Sequence, residues 1–343
     1  MKKTLSILLS TIIAASAFAE SLEITEKNQV FTGTQTVDKL TVGAFPYYIG
    51  KEGTPGILTV KAEKDPLANS GRIIIRKGSE LILETTANTS YSSNSRSGKV
   101  DVYGEYVFNH TGGGSPFVGS VVTGKTVNIF SGGTLKITGV GDGGFDINNG
   151  TLDLKSGSTV DTSSSKIYIR GTGTSKLIVG DNVTFKQILA IVLGNGAKAI
   201  TIDTSTASNV RFATLTFKSD TKLTLNLPTQ SLTFSALSTT SSNEFTGTEE
   251  LILNDFRNDV IKFNDISNLS IVDGDYLTVG GKKKIKLTAF DANNNEIILS
   301  AGDYWDISTG YLNIVKAAVP EPAEWAVIFG AIALGLAIYR RRK

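Results

Sequence analysis

The feature that most constrains the fold of this chain is a succession of short segments in which apolar and polar residues alternate. Segments such as 72–75, 126–130, 166–169 and 223–227 are rich in Val, Ile, Leu, Phe and Thr. A period of two with β-branched residues is typical of half-buried strands. Gly, Ser, Asn and Asp, which favour turns, stand between the segments. The body of the chain is therefore predicted to be all-β.

A weak repeat predicts how these strands are arranged. Four segments begin with Gly and Ser or Thr before an apolar residue: Gly78-Ser79-Glu80-Leu81, Gly133-Thr134-Leu135, Gly150-Thr151-Leu152 and Gly157-Ser158-Thr159-Val160. Leu135 and Leu152 are 17 positions apart, and Leu152 and Leu177 are 25 apart. A spacing near 20 residues suits one coil of an irregular parallel β-helix, or solenoid. Residues 117–227 lack proline, which would remove a ladder hydrogen bond. The alternative is a pair of β-sandwiches.

The coils that begin with Gly-Thr-Leu resemble the passenger regions of autotransporters and other bacterial surface β-helices. We expect an N-terminal cap at 20–70, a solenoid body at 71–269, and a C-terminal β cap and tether at 270–318. In this last part, Gly280-Gly281 before Lys282-Lys283-Lys284 and the run 291–295 suit hairpin turns. The N-terminal cap would protect the first coil from edge pairing.

The first 19 residues have the features of a secretory signal peptide. Lys2 and Lys3 form the charged start, and the apolar stretch 5–15 follows. Ala17 and Ala19 fit the small-x-small rule for cleavage, which would leave Glu20 as the mature start. The sequence therefore predicts export, with signal peptidase as a transient partner.

The C-terminal segment 319–343 combines four features in order: a Pro-Glu-Pro motif, an apolar run, flanking aromatic residues and a basic end. These residues are Val319, Pro320, Glu321 and Pro322 in the motif, Trp325 and Tyr339 beside the run, and Arg340, Arg341, Arg342 and Lys343 at the end. The run predicts a transmembrane helix at about 323–339, roughly 25 Å long. The terminal cations orient the C-terminus towards the cytoplasm. The prolines predict an extended, protease-accessible segment.

This tail resembles the PEP-CTERM sorting signal, in which the same features end a precursor protein. The resemblance implies processing near Pro320-Glu321-Pro322 by exosortase, a membrane-embedded protease-transpeptidase. It also implies a Gram-negative bacterium that makes exopolysaccharide. The expected location is the inner membrane transiently, and then the cell envelope, the surface or the extracellular matrix.

Composition excludes several kinds of site. The chain has no cysteine and one histidine, His110, so thiolate sites, Cys nucleophiles and multi-His metal centres are excluded. The 34 basic and 32 acidic residues leave a net charge of +2, which is too small a field to hold nucleic acid. His110 stands beside three glycines, and we expect a loop residue without a catalytic role. No metal or cofactor is predicted.

Several side chains could serve carbohydrate chemistry or binding, although each also has an ordinary structural explanation. Paired carboxylates would serve a glycosidase or lyase, a basic turn could bind an acidic glycan, and tyrosines could stack on sugars. The segment 141–147 resembles one copy of a calcium-binding nonapeptide, although a Gly-rich turn explains it better. The other candidates are Asp153 with Asp161; Asp255, Asp259 and Asp265; Lys282, Lys283 and Lys284; and Tyr47, Tyr48, Tyr91 and Tyr106.

The preferred interpretation is a non-enzymatic structural or display protein of the cell surface or matrix, associated with exopolysaccharide or with other surface proteins. The absence of cysteine, of a histidine cluster and of a nucleophile motif favours it. Two alternatives remain open. One is a polysaccharide lyase or glycosidase on the same β-helix scaffold, and the other is an adhesin.

Overall fold

The described part of the chain is all-β apart from one C-terminal helix. The computed structural model describes residues 21–317 without 27, 63–66, 87–97, 112–116, 140–143, 163–165, 195, 240–247 and 282, and it describes residues 322–341. The chain divides into two compact units. Unit 1 comprises Met1–Phe145 and Thr159–Ser164, and unit 2 comprises Asp146–Ser158 and Ser165–Lys343.

The described residues form 32 strands and one helix. The strands are β1 (Ser21–Ile24), β2 (Gln29–Phe31), β3 (Gly33–Val37), β4 (Lys39–Val42), β5 (Pro46–Ile49), β6 (Gly56–Ala62), β7 (Leu67–Asn69), β8 (Arg72–Ile75), β9 (Glu80–Thr85), β10 (Lys99–Val102), β11 (Glu105–His110), β12 (Phe117–Val122), β13 (Thr126–Ile129), β14 (Thr134–Gly139), β15 (Gly144–Asn148), β16 (Thr151–Leu154), β17 (Thr159–Thr162), β18 (Lys166–Arg170), β19 (Thr174–Val179), β20 (Thr184–Phe185), β21 (Ala190–Leu193), β22 (Ala199–Asp203), β23 (Asn209–Phe217), β24 (Lys222–Asn226), β25 (Ser231–Thr239), β26 (Glu250–Asn254), β27 (Ile261–Asp265), β28 (Leu269–Val272), β29 (Tyr276–Val279), β30 (Lys283–Ala289), β31 (Tyr304–Asp306) and β32 (Asn313–Val315). The helix is α1 (Pro322–Arg341).

Unit 1 is built from parallel ladders of strands. One ladder has the order β2-β5-β8-β10-β13, another has the order β3-β6-β9-β11-β14-β17, and a short one has the order β1-β4-β7. Successive strands of the chain alternate between ladders, so the chain returns to each ladder once per turn. Leu83, for example, lies in register with Phe108, 25 positions later. This winding defines a parallel β-solenoid.

Unit 2 has the same winding, with parallel ladders in the orders β16-β19-β22-β24-β26-β30 and β18-β21-β23-β25-β27. The predicted solenoid is therefore confirmed, and the alternative of two β-sandwiches is wrong because sandwiches are built from antiparallel sheets. Antiparallel pairing occurs towards the C-terminal end, between β28, β29 and β30 and between β31 and β32. Gly280 and Gly281 form the turn before β30 with positive φ angles of 64° and 70°.

Alternation along each strand sends every second side chain into the interior. In unit 1, Ile49, Ile75, Val102 and Ile129 stack in register, and each is 0% exposed. Unit 2 stacks Leu152 on Leu177 and continues the column along its own ladder. Because each turn repeats the same inward positions, the apolar side chains of successive turns bury one another between the ladders.

The repeat noted in the sequence mixes two ladders. Leu135 pairs with Val160 in one ladder, and Leu152 pairs with Leu177 in another, each at a distance of 25 positions. The 17-residue interval between Leu135 and Leu152 therefore joins strands of different ladders and is not a coil length. Three of the four Gly-starting segments precede β9, β14 and β17 of a single ladder, which explains why they look alike.

The segment 20–70, predicted to be an N-terminal cap, carries β1 to β7. Of these strands, β2, β3, β5 and β6 lie in the same parallel ladders as the strands that follow them, whereas β1, β4 and β7 form a parallel ladder of their own. Parallel coils are thus present from Ser21 onwards. The predicted signal peptide lies outside the described residues.

The C-terminal segment forms α1, which covers the helix predicted at about 323–339. Glu324 and Arg340 bound its apolar run, which is shorter than the roughly 20 apolar residues of a typical span. Within the described residues, no helix is both long and apolar enough to cross a membrane.

Candidate functional site: an aromatic and basic groove on unit 1

Three large outward-facing side chains stand one above another at a corner of unit 1. Arg76, Tyr103 and Phe130 each follow the last residue of β8, β10 and β13. Their backbone N–H groups donate to carbonyl oxygens of the preceding turn at 3.0, 2.8 and 2.9 Å. Because neighbouring rungs of a ladder are about 4.8 Å apart, these side chains follow one another closely along the corner. We call these three residues the corner stack.

The corner stack presents a flat aromatic face and a cation. The rings of Tyr103 and Phe130 lie 4.4 Å apart with an interplanar angle of 13°. Tyr103 remains 38% exposed. The guanidinium carbon of Arg76 lies 5.0 Å from the ring centre of Tyr48, a cation–π distance. The stack is therefore ordered by contacts within unit 1 while one ring stays open to solvent.

Gly104 explains how the corner can turn so sharply after Tyr103. A Cβ at Gly104 would lie 2.2 Å from the carbonyl oxygen of Ser79 and 2.4 Å from that of Arg76. Backbone atoms cannot move aside as a flexible side chain can, so this position requires glycine. The close approach of the two turns directs the Tyr103 side chain outward.

An open groove lies against the corner stack. Its volume is about 620 Å³, and its lining residues are Lys51, Glu52, Gly53, Ile74, Arg76, Lys77 and Tyr103. Three cations and one carboxylate line it, so its local charge is positive. Among the described residues, neither Lys51 nor Lys77 makes an ion pair. A second, smaller depression of about 260 Å³ lies in unit 2 and includes Ile188 and Arg211.

One wall of the groove is a tight turn at its rim. Lys51 and Thr54 exchange backbone hydrogen bonds of 2.9 and 3.0 Å, which close a hairpin-like turn around Glu52 and Gly53. The φ angle of Gly53 is 72°, a left-handed conformation that glycine adopts without strain. The rim that carries Lys51 is therefore held by its own backbone.

A buried carboxylate stabilises the row beside the groove. Asp101, the register partner of Ile74, is 1% exposed. It forms an ion pair with Arg72 and accepts a hydrogen bond of 2.6 Å from the Asn128 side-chain amide. Arg72 neutralises the charge of Asp101, and the Asn128 amide donates to it. The carboxylate therefore holds the two neighbouring strands together and does not cancel the positive charge of the groove.

The tyrosines predicted to stack on sugars have different fates. Tyr47 and Tyr106 are 2% and 3% exposed and belong to the core, and burial raises the pKa of both hydroxyl groups. Tyr48 is half-buried beneath Arg76, and Tyr91 lies outside the described residues. Sequence reasoning missed Tyr103. Its place between the alternating segment 99–102 and Gly104 was the available signal for an outward corner residue.

The predicted carboxylate candidates each bind a separate group. The pairs are Asp153 with Lys155 at 2.6 Å, Asp255 with Arg257 at 3.3 Å, Asp259 with Asn313 at 3.0 Å and Asp265 with Ser267 at 2.7 Å. Asp161 lies in register with Lys136. Hydrogen bonds from Ser267 lower the pKa of Asp265. In the described ranges, no three His, Cys, Asp or Glu side chains gather where they could hold a metal ion.

Asp153 illustrates how alternation and burial differ. It stands between the inward-facing Leu152 and Leu154, as its outward direction requires. It is nevertheless only 7% exposed, because neighbouring groups, Lys155 among them, cover it. An outward position on a solenoid is therefore not always a solvated one.

The prediction of a loop at His110 is wrong. His110 is the last residue of β11, lies in register with Thr85 and is 0% exposed. Its Nδ1 lies 2.9 Å from the Thr85 hydroxyl oxygen. The parallel ladder extends up to the glycines and takes the histidine into the interior. The calcium-like segment 141–147 lies partly outside the described residues, and its described end enters β15.

The predicted hairpin turn lies between β29 and β30, and Lys284 after it is exposed but makes an ion pair. Lys283 and Lys284 begin β30, and Lys282 lies outside the described residues. Lys284 forms an ion pair with Asp273, and its ammonium lies 5.6 Å from the ring centre of Tyr276. The hydrogen bond and charge of Asp273 raise the pKa of Lys284. The antiparallel pairing of β28, β29 and β30 creates these contacts.

The predicted sorting residues lie at or beyond the ends of the described helix. Pro322 begins α1, Trp325 lies within it, Tyr339 and Arg340 are exposed near its end, and Arg341 is its last residue. The remaining residues of the prediction lie outside the described part: Ala17, Ala19, Val319, Pro320, Glu321, Arg342 and Lys343.

The outer face of unit 2 carries a different pattern, a row of polar groups that bind one another. Asp203 accepts from Lys176 at 2.8 Å. Burial acts to raise the pKa of Asp203, but hydrogen bonds from Lys176, Ser205 and Asn226 outweigh burial and lower it. Asn254 donates to Asn226 at 2.9 Å. This row is satisfied internally.

A second charged pair continues this pattern in unit 2. Glu250 accepts from Lys222 at 2.8 Å and from the Thr288 hydroxyl at 2.9 Å. Burial acts to raise the pKa of Glu250, and the hydrogen bonds from Lys222 and Thr288 outweigh it and lower the pKa. We call Lys176, Asp203, Lys222, Asn226, Glu250 and Asn254 the polar row.

No protein-family model, no curated protein sequence and no solved structure matches this chain. The solenoid of each unit and the groove of unit 1 are therefore interpreted from their own geometry.

Proposed function

We propose that this protein is a non-enzymatic structural and display protein of the bacterial cell surface or extracellular matrix. The observation that carries the proposal is the groove beside the corner stack. It offers an exposed aromatic ring, three cations and one carboxylate, Glu52. Glycoside hydrolysis ordinarily requires two carboxyl groups that flank the scissile bond. The described lining has a single carboxylate, which favours holding a chain over hydrolysing it.

The scaffold supports this role physically. Each turn of the solenoid repeats an inward apolar column and an outward surface, so successive turns present side chains at a fixed spacing of about 4.8 Å. Contacts that are weak individually then act together along an extended ligand. Display of this kind needs a well-packed scaffold, which the buried columns supply.

Export and sorting form part of the proposal. Residues 1–19 would direct secretion, and the segment 319–343 would be processed by an exosortase near Pro320-Glu321-Pro322. The support is the order of features in the sequence. Replacing these three residues by alanine should leave an unprocessed precursor in the membrane fraction. Normal processing of that variant would remove the exosortase from the proposal.

The function is tested by mixing the full-length protein with the extracellular polysaccharide of its host. We expect the protein to co-sediment with the polysaccharide without the appearance of new sugar ends. New ends that disappear in a Glu52→Gln variant would identify a carbohydrate-active enzyme instead. Absence of both sedimentation and new ends would favour an adhesin that binds a protein partner.

A further inference from the structure

We infer that the groove beside the corner stack is a binding site for a carboxylate-bearing polysaccharide, such as a uronic acid polymer. The inference rests on the proposed function and deepens it, because it names the ligand class and the residues that recognise it. Three features of the site carry the inference: the open ring of Tyr103, the cations around it and the rigidity of the corner.

The open ring supplies a platform for a sugar. One face of Tyr103 stacks on Phe130 at 4.4 Å, and this contact favours the observed orientation of the ring. Its 38% exposure leaves apolar surface next to solvent. A pyranose ring has a flat face of C–H groups that packs on such a surface and hydroxyl groups that stay in water. A fully apolar ligand would offer the Tyr103 hydroxyl no hydrogen-bonding partner, whereas a sugar would.

The cations determine which sugar. Arg76 presents a planar guanidinium that matches a carboxylate with two parallel hydrogen bonds. Lys51 and Lys77 line the same groove, and Glu52 is the one carboxylate among its lining residues. Local charge therefore disfavours a neutral glycan relative to an anionic one, although the whole chain carries a net charge of only +2.

The corner is organised before any ligand arrives. Tyr48 holds Arg76 at 5.0 Å, Phe130 holds Tyr103, and the backbone of Gly104 fixes the turn. A site whose side chains are already immobilised loses less conformational entropy on binding. The spacing of the rungs also sets Arg76 and Tyr103 side by side along the stack, so a chain laid across the turns meets a cation and a ring in sequence.

The test measures binding of oligogalacturonate to the full-length protein by calorimetry. A neutral dextran fragment of similar length is the control for charge, and an oligoglutamate peptide is the control for ligand class. We expect Tyr103→Ala and Arg76→Gln each to raise the Kd about tenfold or more. Tyr103→Phe, which keeps the ring, should bind within a few-fold of the wild type.

Matched variants outside the groove control for general effects of charge and ring removal. Lys39→Gln removes an exposed cation from β4, and Tyr304→Ala removes a tyrosine that is 51% exposed in unit 2. Both should leave the Kd unchanged. Hydrogen exchange of the wild type gives a second measurement that needs no variant, and oligogalacturonate should protect the amides of residues 99–104.

Two results would overturn the inference. Equal affinity for oligoglutamate would assign the groove to an acidic peptide, and equal affinity for neutral dextran would remove the role of the cations.

The proposed function, binding of the matrix, can fail independently of the inference about the groove. If Tyr103→Ala still co-sediments with host polysaccharide as the wild type does, the groove is not the binding site but the matrix role stands. If the wild type releases sugar ends, the matrix role fails while calorimetry still tests the groove.

Discussion

The interiors of unit 1 and unit 2 are built alike, whereas their outer faces differ. Both units bury in-register columns of Ile, Leu, Val and Phe between parallel strands. On the outside, unit 2 carries the polar row, in which carboxylates, lysines and amides bind one another. Unit 1 also has a paired row, in which Asp101 binds Arg72 and Asn128, but beside it lies the groove of the corner stack, where Lys51 and Lys77 make no ion pair with any described residue.

The difference teaches where binding is to be sought on a repetitive scaffold. A row whose donors and acceptors are paired already has little to gain from a ligand, because binding would exchange one set of hydrogen bonds for another. An exposed aromatic face beside unpaired cations gains from a ligand in two ways: the ligand covers apolar surface and neutralises positive charge. The repeated inward residues specify the fold. Outer side chains that lack partners within the repeat indicate where a ligand binds.

The largest effect on stability is expected from the apolar interior of unit 2. Phe234 stacks between Phe212 and Phe263, with ring centres 5.7 Å apart on both sides, and is 0% exposed. Phe234→Ala should lower the free energy of unfolding by about 3–5 kcal/mol, because it leaves a cavity between two rings. Denaturant unfolding measures the loss, and hydrogen exchange should show loosened amides in unit 2.

Two variants control for this interpretation. Phe234→Leu conserves most of the volume and should cost less than about 1.5 kcal/mol. Phe45→Ala removes a ring in unit 1 that is 42% exposed and should change stability by less than about 0.5 kcal/mol. A loss of similar size in all three variants would show that the phenylalanine column is not a close-packed interior.

An intermediate effect should separate the buried aspartates of the two units. In unit 2, Asp146 accepts two hydrogen bonds from Arg170, at 2.8 and 2.9 Å. Burial raises the pKa of Asp146, and Arg170 partly opposes the rise. Arg170→Met should cost about 1–2 kcal/mol, which is less than for a fully buried pair because the Arg170 side chain is 39% exposed.

The matched change in unit 1 is Arg72→Met, which removes the ion-pair partner of Asp101. Asp101 keeps its hydrogen bond of 2.6 Å from Asn128, and the Arg72 side chain is 50% exposed. The cost should therefore be smaller than that of Arg170→Met in the same unfolding experiment. The reverse order would show that the amide does not compensate for the lost guanidinium.

A smaller effect should appear as a dependence on pH in unit 2. Hydrogen bonds within the polar row lower the folded-state pKa of Asp203 and Glu250 despite burial. These carboxylates stabilise the fold above their unfolded pKa of about 4, and the stabilisation is lost as pH falls through the lower folded pKa. Asp203→Asn should reduce this acid dependence by up to about 1 kcal/mol.

Melting temperatures between pH 7 and pH 3 measure the effect. Asp38→Asn, at a half-buried position outside the polar row, is the control for removal of a carboxylate as such. An unchanged acid dependence in Asp203→Asn would mean that the polar row does not couple protonation to folding.

The smallest effect on stability is expected at the site itself. Tyr103→Ala removes one ring of a stacked pair at the surface and should cost only about 0.5–1 kcal/mol. The same variant should lose binding of the acidic glycan. Thermal unfolding and calorimetry on one preparation would separate the two effects. A loss of stability as large as that of Phe234→Ala would make Tyr103 a core residue and not a platform.

The alternation of residues predicted many of the strands well, since buried and partly exposed positions alternate along strands such as β9 and β24. The pairing was harder to predict. Leu135 and Leu152 look equivalent in the sequence, but register assigns them to different ladders. A strand pattern specifies which face is buried, and it carries little information about which strand lies beside it.

The site followed the same division. The sequence placed Tyr47, Tyr48 and Tyr106 together as candidates, but only Tyr48 faces outward, and it is covered by Arg76. Tyr103 and Phe130 are 27 positions apart in the chain and become neighbours because one turn of the solenoid returns to the same corner. From the sequence alone, two residues 27 positions apart cannot be recognised as neighbours, because the length of each turn is not known.

By itself, the sequence determined an all-β chain, the exclusion of thiolate and multi-histidine chemistry, and the predictions for its two ends. Those conclusions depend on residue types and their local order, which need no partner strand. Only the tertiary structure decided the register, the burial of His110, the separate partners of the candidate carboxylates and the corner stack. Each of these depends on residues from different turns, and winding the chain around the solenoid is what brings such residues together.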